Sequence, residues 1–101
     1  MSRRTGESLR RTEAEIAAEK AATLGRAGER LEEALRVAHA ALARLDAAGG
    51  AEELRERLAD YEHARERAAR ERLILIIQRE AVGLLQHRVV DQQFPEPPRR
   101  S

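Results

Sequence analysis

Leu45-Asp46-Ala47-Ala48-Gly49-Gly50-Ala51-Glu52-Glu53-Leu54 decides the fold. Gly49-Gly50 is the clearest break in a chain dominated by Ala, Glu, Arg and Leu. A glycine just past a helix takes the left-handed C-cap conformation without a Cβ penalty. Ala51-Glu52-Glu53 then opens a second helix with acids beside its positive end. The stretch reads as a tight turn between two long helices.

Upstream, small or apolar residues recur with alternating spacings of four and three: Ala17, Ala21, Leu24, Gly28, Leu31, Leu35, Ala38, Leu42 and Leu45. That spacing makes one seam on a helix. Thr12-Glu13-Ala14-Glu15 fits a capping box and sets the expected start of helix 1, with an alternative near Glu7. Downstream, Leu54, Leu58, Tyr61, Ala64 and Ala68 continue the apolar stripe, and helix 2 is expected to run to about Val90. Pro95, Pro97 and Pro98 exclude helix beyond it. The division expected is a flexible segment at 1–11, a helical hairpin domain at 12–92 and an extended Pro/Arg-rich tail at 93–101.

Two helices joined by so short a turn pack antiparallel. Pairing outward sets residue i opposite roughly 99−i. Leu45 then meets Leu54, Ala38 meets Tyr61, Leu31 meets Ala68, Gly25 meets Ile74 and Ile16 meets Gly83. On this register the interior glycines admit bulky side chains from the facing helix.

A two-helix hairpin encloses no core, since each helix has one neighbour. The second half of helix 2 carries more apolar surface than one neighbour covers: Leu73, Ile74, Ile77, Ala81, Leu84 and Leu85 fill an arc of roughly 120°, with Leu75, Val82 and Val89 outside it. The expected fold is therefore all-α: two antiparallel helices that dimerise through those six residues into a four-helix bundle.

Composition bounds the function. Nineteen Lys+Arg against 18 Asp+Glu leaves a charge of +1, without the basic excess of a specific nucleic-acid binder. Aromatics are only 2%, which disfavours β-structure. No cysteine is present, so disulfide and thiolate chemistry are absent. The apolar run Leu73–Ile77 is far shorter than the roughly 20 residues of a membrane span, and no signal peptide follows Arg3-Arg4. A soluble, cytoplasmic protein without cofactor is expected.

Candidate sites are few. Gln78, Arg79, Glu80, Gln86, His87 and Arg88 interrupt the apolar end of helix 2. Arg79, Glu80, Gln86 and His87 could form a polar site at the dimer interface, for a metal or a small anion; the plainer reading is a set of paired residues that fix register. Glu80 and His87 are the nearest approach to metal ligands. On a continuous helix they lie about 10.5 Å apart along the axis and cannot share an ion within one chain. Asp60 and His63 have the spacing of di-iron bundle ligands, but the seam through Leu58 and Tyr61 turns them outward. No nucleophile pattern or phosphate loop occurs, so no catalytic residue is expected. Pro95-Glu96-Pro97-Pro98-Arg99-Arg100 fits a P-x-x-P-x-R polyproline ligand, or a plain disordered terminus.

Leu24-Gly25-Arg26-Ala27-Gly28-Glu29-Arg30-Leu31-Glu32-Glu33-Ala34-Leu35 and Gln78-Arg79-Glu80-Ala81-Val82-Gly83-Leu84, with His87-Arg88 and Glu15-Ile16-Ala17-Ala18-Glu19, resemble a bacterial family of short helical proteins of unknown function. The resemblance covers most of residues 12–95. It implies an all-helical fold and assigns no site residue. Together these observations lead to the expectation of a non-enzymatic homo-oligomer, structural or a protein-interaction module. The alternatives are a bundle with a metal or anion site at its interface, and an adaptor hairpin for a larger partner.

Overall fold

The computed structural model describes residues 2–100, with side chains from Thr5 to Arg100. Among the described residues three helices occur in order: α1 (Ser2–Asp46), α2 (Ala51–Ala81) and α3 (Arg88–Gln93). No strand is present among the described residues. α1 and α2 pack along their length as an antiparallel hairpin, and the molecule measures 76 × 19 × 15 Å.

The turn follows from its glycines, with one correction. The positive φ lies at Gly50 rather than Gly49 (φ 156, ψ 160), where Gly50 caps the start of α2. That region is open essentially to glycine alone. The Gly50 carbonyl accepts from Leu54 N–H at 2.9 Å, and Glu53 Oε2 accepts the Gly49 N–H at 3.2 Å. An acid in the first turn of α2 thus serves a backbone donor that the chain reversal leaves bare.

The seam is buried over its C-terminal half, whereas Ala17 and Ala21 at its start are exposed. Leu31, Leu35, Ala38 and Leu45 of α1 are buried, as are Tyr61, Ala64, Ala68 and Leu75 of α2. Ala38 and Tyr61 share one core cluster, and Leu31 and Ala68 the other. Ala27, Ala34 and Ala41, seven apart, are buried beside the seam. The register fails at both ends. Leu54 is exposed, so it does not cap the cluster around Leu45. A Cβ placed on Gly25 or Gly28 would meet nothing within 4 Å, so these glycines do not receive Ile74 or any other side chain.

α1 begins earlier than expected. It takes in residues 2–11, and Thr12 does not cap it; its Oγ1 donates to the Ser8 carbonyl one turn back, at 3.0 Å. By the register, Ala81 at the end of α2 lies level with Ala18. The first turns of α1 therefore extend past the end of α2, and residues 7–22 are all exposed.

α2 ends earlier than expected, at Ala81 rather than near Val90. Gly83 has φ +89. Its N–H donates to Glu80 O at 3.0 Å, and Leu84 N–H donates to Arg79 O at 2.9 Å. This paired closure around a left-handed glycine is a Schellman motif, which satisfies the last carbonyls of the helix and turns the chain out. Gly83 is thus a helix stop, not a small partner for Ile16.

Residues 84–100 then run back along the hairpin as a strap. α3 buries Val90, and Phe94 packs on the cluster of Leu31, Leu35, Ala68 and Leu75. Pro97 is buried. Tyr61 Oη donates to the Pro98 carbonyl, and Arg65 Nε donates to the Pro97 carbonyl at 3.1 Å. Arg72 bonds Asp91, and Arg100 Nε lies 3.7 Å from Asp46 Oδ1. The proline segment, read from sequence as free, supplies part of the core that two helices cannot enclose. Ser101 lies outside the described residues.

Candidate functional site

The free end of the hairpin gathers the polar residues and most of the aliphatic residues that the sequence singles out. Leaving α2 at Gly83, the chain doubles back over its last turn. Arg79 Nε donates to His87 Nδ1 at 3.4 Å, and its Nη2 donates to the Gln86 carbonyl at 2.8 Å. His87 Nε2 lies 3.3 Å from Glu80 Oε2. A guanidinium can only donate, so Nδ1 accepts and Nε2 carries the proton facing the carboxylate.

Arg79, Glu80 and His87 therefore do meet within one chain. The 10.5 Å separation expected on a continuous helix does not apply, because the helix stops between Glu80 and His87. Gln86 contributes its backbone carbonyl to this group, and its side chain is exposed. The groups of this knot satisfy one another: Arg79 spends donors on His87 and on the Gln86 carbonyl, and His87 spends its own on Glu80. Among the described residues no three His, Cys, Asp or Glu side chains converge as a metal site. Asp60 and His63 point outward, as expected; Asp60 is 3.5 Å from Arg57.

Around the knot lies apolar surface. Leu73, Ile74, Ile77, Leu84 and Leu85 are 40–72% exposed, and Ala81 is exposed beside them. Leu9, Ile16 and Val89 are exposed as well; the sequence register sets Ile16 opposite Gly83 and leaves Val89 outside the arc, and Leu9 was missed. Leu9 and Ile16 are seven apart, on one stripe of α1. That repeat is visible in the sequence, but it stands off the 4,3 seam.

The line where α1 meets α2 has two flanks. The strap covers one, against Leu24, Leu31, Leu35, Ala68 and Leu75. At the free end the other is bare, an open groove between Ile16, Lys20 and Thr23 of α1 and Gln78, Ala81 and Val82 at the end of α2. Glu71 Oε2 and Gln78 Oε1 are shielded from solvent without a hydrogen-bond partner. At the turn end, burial pushes the Tyr61 hydroxyl above the usual tyrosine value, opposed by the nearby charges of Arg65 and Arg100.

On the strap side, Leu24, Gly25 and Gly28 line a groove with Leu75, Arg79, Val89 and Val90. No family model, no curated protein and no solved structure matches the chain. Among the described residues no helix is long and apolar enough to cross a membrane.

Proposed function

We propose that the chain is a non-enzymatic protein-interaction module that binds a second copy of itself through the free end of its hairpin. The exposed aliphatic cluster of Leu73, Ile74, Ile77, Leu84 and Leu85, with Ala81, carries this reading. Contiguous apolar surface of this kind on a small domain marks a binding surface or an aggregation hazard. The strap already fills one flank of the hairpin, so the cluster has no cover left to find within the chain.

Light scattering over a concentration series tests the reading. A dimeric mass supports it, and a monomer at every concentration overturns it. Ile77→Asp sharpens the test. Ile77 is 55% exposed, so the substitution leaves the single chain folded while placing an unpaired charge in the interface. Loss of the dimer with an unchanged circular dichroism spectrum is the expected result.

The arrangement of Arg79, Glu80 and His87 supports a second reading, a small-anion site. It is the weaker of the two, because the donors of Arg79 are directed at His87 and Gln86.

A further inference from the structure

The overhang of α1 and the bare groove at the free end fit one occupant. We propose that the second copy docks by pairing its overhang antiparallel with this one, laying its first turns in the groove between Ile16, Lys20 and Thr23 of α1 and Gln78 and Ala81 of α2. The proposal rests on the self-association reading and specifies its geometry.

Three observations carry it. First, the overhang has an apolar stripe open to solvent: Leu9 is 59% and Ile16 47% exposed. Ile16 also lines the groove, so stripe and groove are one continuous surface.

Second, the overhang is split by charge. Residues 1–12 hold four arginines and one glutamate, whereas residues 13–19 hold three glutamates and no basic residue. A parallel pair would set like against like; an antiparallel pair sets the basic half against the acidic half. Setting Leu9 opposite Ile16 of the second copy fixes the register, with facing residues summing to 25. At about 100° per residue, Arg10 and Glu13 flank the stripe on one side and Glu15 on the other, while Arg11 lies near the back of the helix. Antiparallel pairing keeps each side together. Arg10 then lies beside Glu13 of the second copy, and the two-fold axis repeats the pair. Both side chains are exposed, and the ion pairs among the described residues all involve residues from Glu32 onward.

Third, this register ends in the groove. Residues 5 to 9 of the second copy fall level with Ile16 to Lys20, and Val82 and Ala81 lie opposite Ala17 and Ala18 in the hairpin. Leu9 of the second copy reaches Ile16 at the mouth of the groove. Its first turn lies along α2 beside Ala81 and Ile77.

The geometry has a measurable length. Residues 2–23 of each copy overlap over about 33 Å. Two 76 Å molecules so joined span about 120 Å, whereas a side-by-side four-helix bundle stays close to 76 Å.

Small-angle scattering and light scattering on the full chain test this. The expected result is a dimeric mass with a maximum dimension near 120 Å. The variant Arg10→Glu is expected to raise the dissociation constant at least tenfold, and so is Glu13→Arg. An equimolar mixture of the two variants restores the dimer, which shows that each remains folded. A dimer near 76 Å, or one indifferent to both charge reversals, overturns the overhang pairing and leaves self-association standing. A monomer at all concentrations overturns both.

Discussion

Replacing Gly25 and Gly28 by alanine separates two accounts of why glycine stands inside a 45-residue helix. If the glycines make room for the facing helix, a methyl group clashes and the hairpin loosens. If they make room for nothing, alanine is the better residue. The structure favours the second account. Both glycines lie in the interior of α1, neither has a positive φ, and an added Cβ meets no atom within 4 Å. No steric cost then offsets the backbone entropy gained, which is about 1 kcal/mol per Gly→Ala exchange in a helix interior. The double variant is expected to gain about 2 kcal/mol, since the two sites share no packed partner. For a domain of this size that raises Tm by roughly 8–16 °C. Thermal and urea unfolding followed by circular dichroism at one fixed protein concentration measure it, because association would otherwise move Tm. A destabilised Gly28→Ala would refute the reasoning and restore a close helix approach at that level.

Gly83→Ala has the opposite sign: alanine in the left-handed conformation costs about 1–2 kcal/mol, and amide exchange should quicken from Leu84 to His87. Tyr61→Phe removes the donor to the Pro98 carbonyl, worth about 1 kcal/mol, and should deprotect the strap while leaving α1 and α2 protected. Tyr61 also predicts a pH dependence. Its folded pKa is raised, chiefly by burial, above the ordinary 10.0, so its contribution to stability is fully present below about pH 10 and is lost as pH climbs through the folded value. The chain has a single tyrosine, so the tyrosinate absorbance reads that titration directly: a midpoint at or below 10 in the folded protein would contradict it.

The hairpin was legible because its signals agree. The double glycine, the 4,3 seam and the turn-fixed register place Ala38 with Tyr61 and Leu31 with Ala68, as the core clusters have them. The ends were not legible, because there local signals competed. Thr12-x-x-Glu15 has the composition of a cap, but a threonine inside a helix can bond the carbonyl one turn back, and Thr12 does so. Gly83 stands among aliphatic residues and was read as a small partner for Ile16, although a glycine also suits a helix C-cap. Read as a stop, it would have predicted the reversal that brings His87 onto Arg79 and Glu80. The strap was hidden for a different reason. Prolines report that a segment is not helical, but not what it lies on. Arg65 and Tyr61 capture the carbonyls of Pro97 and Pro98 from 32 and 37 residues away, a pairing with no local spacing to read.

A molecule 76 Å long and 15–19 Å across is a rod, and rods move through liquid as larger bodies than they are. Its radius of gyration of 20.0 Å far exceeds the roughly 13 Å of a globular chain of about 100 residues. Friction grows with length, so a single copy would leave a sizing column early, at the position of a globular protein of greater mass. Elution volume would then counterfeit the dimer. Only a method that weighs the particle, rather than timing its passage, can count the chains in it.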